Sequence, residues 1–206
     1  MAWIKTIGYK DAKGKLKAIY DRVKGPDNNV DNILMAHSLR PHTLEGHMTL
    51  YKYVLHHPQN TIPKWLLEAV GTYVSILNEC TYCIEHHFLG LKRLVANDAR
   101  SAAMREAFKA GETQSLLDAG HIDARDKAAL DYAARLTTKP TSLTPAHLDA
   151  MRAAGMDDGE ILEINQVAAY FGYANRTVLG LGINTDGDIV GLSPNDSSDP
   201  DNWGHQ

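Results

Sequence analysis

Apolar residues recur at helical spacing along most of the chain. In the first such stretch they occupy positions 12, 16, 19, 20 and 23, which lie on one face of a helix. No stretch shows the sustained alternation with β-branched residues that is typical of a strand. We therefore predict an all-α fold, with helices over 10–25, from about Asn32 to just before Pro41, and over 42–58, 64–78, 83–96, 97–112, 123–140, 142–155 and 157–182.

The helix predicted over 64–78 is apolar on nearly every face, and such a helix is buried. Glu68 is the exception, and it shares a narrow polar stripe with Thr72, Ser75 and Glu79. Capping chemistry predicts two further boundaries. Asp98 is suited to begin the helix over 97–112, and Thr144 with Pro145 is suited to begin the one over 142–155.

The composition is ordinary for a globular protein: 206 residues, 44% hydrophobic and 22% charged. We predict one helical domain over 1–185 and a polar, acidic C-terminal tail over 186–206 that is extended or partly disordered. The formal net charge of −4 provides no basic surface for nucleic acid or an anionic membrane. The longest mostly apolar run, 65–77, is too short to span a bilayer, and the N-terminus has no secretory apolar core. A cytoplasmic location is the expectation that follows.

Both cysteines of the chain lie in "LNECTYCIEHHF", residues 77–88. Covalent haem attachment needs a histidine directly after the second cysteine, but Ile84 follows Cys83. A structural zinc site needs four ligands, whereas Cys80, Cys83 and one neighbouring histidine supply three. A catalytic zinc with three protein ligands stays open as an alternative, as does a pair of buried core thiols without chemistry.

A redox-active thiol pair fits the spacing better, because two sulfurs three residues apart can form and reopen a disulfide. At the start of a helix, the backbone N–H groups and the dipole favour the thiolate of Cys83. His87 follows Cys83 by four residues and shares its helix face, so its imidazole can carry the thiol proton. His86, three residues after Cys83, is the weaker candidate, and we expect it to be solvent-exposed.

Glu68 is the fourth candidate residue. If 64–78 and 83–96 form a helix hairpin turning near residue 78, Glu68 and His87 lie equally far from the turn and face each other. A buried carboxylate needs a partner, and His87 would provide one. This predicts a proton relay from Glu68 through His87 to Cys83. The alternative is an exposed carboxylate on an amphipathic helix.

The arrangement of Glu68, eleven residues, Cys80, two residues, Cys83, three residues and His87 resembles the E-x11-C-x2-C-x3-H motif of the AhpD-like alkylhydroperoxidase and carboxymuconolactone decarboxylase family. The similarity covers about 28–185 and is greatest to the peroxidase-related branch. It implies an all-helical, AhpD-like fold, a homo-oligomer of three or six subunits, and thiol-dependent reduction of hydrogen peroxide or organic hydroperoxides.

By motif position, the resemblance implies that Cys83 attacks the peroxide, that Cys80 resolves the product, and that Glu68 and His87 form the relay. The best-known members have a histidine between the two cysteines, where this chain has Tyr82. True carboxymuconolactone decarboxylases lack the cysteine pair, so lactone decarboxylation is not expected. No nicotinamide or flavin motif occurs, so we expect no bound cofactor and a dithiol or lipoyl-type protein as the reductant.

Two other functions use the same residues differently. The pair could exchange disulfides with a protein partner, as an oxidoreductase or redox sensor, without turning over peroxide. Alternatively, the chain could be a non-enzymatic helical assembly protein in which the cysteines only add stability.

Overall fold

The computed structural model describes residues 2–195, 197, 199 and 202–206. These residues form ten α-helices and two short 3₁₀ turns, with no strand beyond an isolated bridge between Pro194 and His205. The prediction of an all-α fold is confirmed. In chain order the helices are α1 (Gly14–Val23), α2 (Asn32–Ala36), α3 (Pro41–Leu55), α4 (Lys64–Leu77), α5 (Thr81–Val95), α6 (Asp98–Ala110), α7 (Thr113–Asp118), α8 (Ala124–Thr138), α9 (Pro145–Ala153) and α10 (Asp158–Leu181).

Most differences from the predicted helices concern their ends. Thr144 caps α9 as predicted, with Pro145 as its first residue. Asn97 rather than Asp98 caps α6, because the Asn97 side chain accepts a hydrogen bond from the backbone of Arg100 at 2.9 Å. Helix α7 is absent from the prediction. It has six residues, too few for a periodic pattern to be recognised.

Helix α4 lies at the centre of the molecule and is buried without interruption from Leu66 to Ser75. It packs against α5, α6, α8 and α10. The all-round apolar character of this segment predicts such burial, which is confirmed. Its contact with α10 is close because Gly71 has no side chain, and the ring of the fully buried Phe171 occupies the space where one would be.

The described part of the C-terminal segment, from 183 onward, lies against the helices of the same chain. Asp188 is bound at the start of α2, where both of its carboxylate oxygens accept hydrogen bonds from the Asn32 backbone. The buried ring of Trp203 lies 3.8 Å from the guanidinium of Arg22. The segment is therefore part of the folded body where it is described, and the domain boundary at 185 stays a prediction.

Among the described residues, no helix is both long enough and apolar enough to cross a membrane.

Candidate active site

The two cysteines lie at the junction of α4 and α5. Glu79 adopts a left-handed backbone conformation (φ 57°) that turns the chain between the helices, and the Cys80 amide then donates to the carbonyl of Ser75 at 2.9 Å. Cys80 directly precedes α5, and Cys83 lies in its first turn. Both are free thiols, with exposed fractions of 0% and 3%. The pair is therefore shielded from bulk water in its reduced form.

Glu68 and His87 meet between α4 and α5. The Nδ1 atom of His87 donates to Oε2 of Glu68 at 2.9 Å, and both side chains are largely buried. Gly90 makes room for the carboxylate, because a Cβ atom there would lie 3.4 Å from Cδ of Glu68. The His87 ring is held edge-on to Phe171, with ring centres 4.6 Å apart. This is the contact that the position of the two residues about the turn predicts.

A small cavity of about 40 Å³ lies beside this pair. Cys83 and His87 line it, together with the rings of Tyr51 and Tyr170, whereas Cys80 does not. The space accommodates a few water-sized molecules. No hydrogen bond joins His87 to Cys83 within the part of the chain that the structure describes, but both side chains line the space that a small molecule could occupy.

The two thiols differ in acidity in a way that the sequence does not predict. The pKa of Cys80 lies below that of an ordinary thiol, chiefly because the adjacent Cys83 thiol stabilises its thiolate. Burial raises the pKa of Cys83 well above the usual range, and the neighbouring Cys80 raises it further. The expectation that the helix start favours the Cys83 thiolate is thus wrong for this state, because the cost of burying the charge outweighs the dipole. Of the two cysteines, however, Cys83 is the one that lines the cavity.

Asn175, from α10, joins the cysteines to the core. Its side chain is fully buried, donates to Oγ of Ser75 at 3.1 Å and accepts from Asn78 at 2.9 Å. It also lowers the pKa of both thiols, although other groups act more strongly on each of them. Its position in α10 is close to the cysteines only because α10 packs on α4.

His86 is buried, with an exposed fraction of 7%, and this corrects the expectation of a surface histidine. Its ring stacks on Tyr82, with centres 4.5 Å apart, and its Nε2 atom lies 3.5 Å from Oδ2 of Asp188. The Tyr82 hydroxyl donates to the same Asp188 oxygen at 2.7 Å. His86 and Tyr82 also line the cavity. The C-terminal segment, which carries Asp188, thereby contributes to the site.

The surroundings of His86 contain a second carboxylate, Asp31, which also lines the cavity. Burial raises the pKa of Asp31 to about 6, with the charge of Asp188 acting in the same direction and that of His86 against it. The Tyr82 hydroxyl is unsuited to donate a proton to a substrate. Burial, supported by the charges of Asp188 and Asp31, raises its pKa well above the usual range.

Among the described residues, no group of three or more histidine, cysteine or acidic side chains is arranged to hold a metal ion. Of the four residues singled out from the sequence, Glu68 and His87 are in contact and Cys83 shares a cavity with His87, while Cys80 is fully buried and does not line that cavity.

The sequence matches no protein-family model, and no curated protein matches it either. Solved structures do resemble it. One is the alkylhydroperoxidase AhpD core of a peroxidase-related protein from Ralstonia eutropha JMP134, with a TM-score of 0.72 and 18% identity over 89% of this chain and 91% of that one. Another is a peroxidase-related protein from Silicibacter sp. TM1040, with a TM-score of 0.66 and 23% identity over 77% of this chain and 80% of that one.

A third similar structure is that of the debrominase Bmp8, with a TM-score of 0.67 and 20% identity over 87% of this chain and 89% of that one. The same debrominase, as a cysteine-to-alanine variant, is known in complex with 2,3,4-tribromopyrrole. At these identities the likeness concerns the fold. The chain has the AhpD-like all-helical fold of peroxidase-related proteins, which confirms the fold that the cysteine motif implies.

Proposed function

We propose that this protein is a thiol-dependent peroxidase that reduces hydrogen peroxide or small organic hydroperoxides through Cys83 and Cys80. The observation that carries the proposal is the shared cavity: Cys83 lines it beside His87, and the imidazole is bound to Glu68 at 2.9 Å. A nucleophile and an oriented proton carrier around a water-sized space match the needs of peroxide reduction. The AhpD-like fold supports the same reaction class.

In the proposed cycle, a peroxide enters the cavity and Cys83 loses its proton to His87, whose imidazolium Glu68 then balances. The Cys83 thiolate attacks the nearer peroxide oxygen, the O–O bond breaks, and the departing oxygen takes up a proton to leave as water or alcohol. Cys83 becomes a sulfenic acid. Cys80 attacks it, forming the disulfide and releasing the sulfenic oxygen as water.

The cycle closes when an external dithiol reduces the disulfide by exchange. We propose a dithiol or lipoyl-type protein as this reductant. Assembly into a homo-oligomer is part of the same proposal, supported by large apolar side chains on the outside of the chain, among them Trp3 and Leu162. Light scattering on the purified protein measures the number of subunits.

The proposal is tested by stopped-flow mixing of the reduced protein with hydrogen peroxide and cumene hydroperoxide, with trapping of sulfenic acid. We expect rapid oxidation of the wild type, its loss in Cys83→Ser, and a persistent sulfenic acid in Cys80→Ser. Because the cavity holds only about 40 Å³, we expect hydrogen peroxide to react faster than cumene hydroperoxide. Oxidation no faster than that of a free thiol would leave disulfide exchange or a structural pair as the function.

Thiol-dependent dehalogenation is a second candidate, favoured by the similarity to the debrominase. The small cavity argues against a substrate as large as a tribrominated ring. Incubation of the reduced protein with 2,3,4-tribromopyrrole, followed by measurement of bromide, separates the two reactions.

A further inference from the structure

Cys83 is followed on its own helix by two histidines, at three and four residues, and both line its cavity. Each lies next to a different carboxylate. His87 contacts Glu68 from α4, and His86 contacts Asp188 from the C-terminal segment. Peroxide reduction needs two proton movements, one away from the thiol and one to the departing oxygen. The cavity thus has two candidate groups for two tasks.

We propose that His86, positioned by Asp188 and Tyr82, is the acid that protonates the departing oxygen, while His87 with Glu68 takes the proton of Cys83. This inference rests on the proposed peroxidase function. His86 is the catalytic residue in this assignment. Asp188 and Tyr82 are positioning residues, since they act through His86.

The placement of Asp188 supports this assignment. Its side chain is 1% exposed, and its two oxygens accept the Tyr82 hydroxyl at 2.7 Å and the Asn32 backbone N–H at 3.0 and 3.1 Å. A buried carboxylate with this many donors is fixed in position. It lies 3.5 Å from Nε2 of His86, a buried nitrogen without a hydrogen-bond partner among the residues that the structure describes. The imidazole is therefore held at one nitrogen by a charge and on one face by the Tyr82 ring.

The division of roles follows from the surroundings of the two histidines. Asp188 lies 3.5 Å from Nε2 of His86, and a second buried carboxylate, that of Asp31, lines the same cavity as His86. His87 has Glu68 as its carboxylate and the apolar edge contact of Phe171. We assign proton donation to His86 because its ring lies beside the buried carboxylate of Asp188 and lines the cavity. The bond from Nδ1 of His87 to Glu68 leaves Nε2 of His87 as an acceptor for the proton of Cys83.

The step balances as follows. The electron pair of the Cys83 thiolate forms the S–O bond, and the O–O bond breaks with its electrons on the distal oxygen. His86 gives one proton to that oxygen, producing water from hydrogen peroxide. His87 holds the proton that left Cys83, and transfer of one proton from His87 to His86, directly or through solvent, restores both groups. Sulfur is oxidised by two electrons and the peroxide is reduced by two.

Two oxidants with different leaving groups test the assignment. Hydrogen peroxide releases hydroxide, whose conjugate acid has a pKa of about 15.7, so it depends strongly on a proton donor. Peroxynitrous acid releases nitrite, the anion of a much stronger acid, and needs little help. The reduced protein is mixed with each oxidant in stopped flow, for the wild type, His86→Gln, Asp188→Asn and His87→Gln.

We expect His86→Gln and Asp188→Asn to slow the reaction with hydrogen peroxide by about 10²-fold and to change that with peroxynitrous acid little. His87→Gln is expected to slow both, because both need the thiolate. The matched control is Asp186→Asn. Its carboxylate lies two residues away on the same loop, is exposed and contacts Asn184, and we expect wild-type rates.

The ratio of the rate with hydrogen peroxide to the rate with peroxynitrous acid does not depend on the fraction of protein that is folded. A destabilised variant therefore still tests the role of His86. Equal slowing with both oxidants in Asp188→Asn, or an unchanged rate with hydrogen peroxide, would overturn the role of His86. If the wild type reacts with neither oxidant faster than a free thiol, the proposed peroxidase function itself fails, and this is seen before any variant is compared.

Discussion

Gly71 provides a direct test of the contact on which the site rests. It lies in the middle of α4, and an added Cβ atom would come within 2.2 Å of Cε2 and 2.4 Å of Cζ of Phe171. Carbon atoms pack at about 3.5–4.0 Å, so Gly71→Ala forces the Phe171 ring to move by at least about 1.3 Å. The ring is fully buried in a close-packed core, so its movement must displace neighbouring side chains or fill the small cavity that it lines.

Overpacking of this severity costs about 2–3 kcal/mol, and replacing a helical glycine by alanine returns about 1 kcal/mol. The net expectation is that Gly71→Ala lowers the free energy of unfolding by about 1–2 kcal/mol. For a protein of this size, that corresponds to a fall in Tm of about 2–8 °C. Urea unfolding followed by circular dichroism measures the midpoint and the slope.

Gly46→Ala is the matched control, since Gly46 lies within α3 and an added Cβ would meet nothing within 4 Å. There we expect a gain of about 0.5–1 kcal/mol from helix propensity alone. If Gly71→Ala proved as stabilising as Gly46→Ala, the close packing of α4 on Phe171 would be refuted, together with the support that this ring gives to His87.

Three further outcomes are expected. Glu68→Gln keeps the shape of the side chain but removes the charge facing His87. Oxidation by hydrogen peroxide, measured in stopped flow, should therefore slow by about 10²-fold. An unchanged rate would contradict the relay. Burial lowers the pKa of His47 to about 3. As the pH falls from about 6.5 towards 3, the wild type should therefore lose stability relative to His47→Gln, by up to about 1.4 kcal/mol per pH unit in urea titrations. Parallel stability curves for the two proteins would argue against a buried neutral imidazole. Trp203→Ala removes a buried ring that lies against Arg22 and should cost about 3 kcal/mol in the same titrations, whereas a negligible loss would show that the C-terminal segment is only loosely attached.

The spacing of residues along the chain predicts much of this structure. The 3.6-residue period predicts the helices, and the all-round apolar character of 64–78 predicts the burial of α4, because a side chain's position on a helix follows from its place in the chain. The same rule places His87 on the face of Cys83. Glu68 and His87 lie equally far along the chain from the turn between α4 and α5, and this position alone predicts their contact, which the structure contains.

Tertiary structure decided the rest. Asp188 lies about a hundred residues after Tyr82 and His86, in a segment whose composition predicts only a polar tail, and no spacing rule connects them. Asn175 reaches the thiols in the same way, through the packing of α10 on α4. The acidity of the cysteines was predicted in the wrong direction for Cys83, because it depends on how deeply the chain buries each sulfur, and burial is a property of the whole fold. The residues that can react are recognisable from the sequence, whereas their surroundings, which set their protonation and their access to substrate, follow from packing between distant parts of the chain.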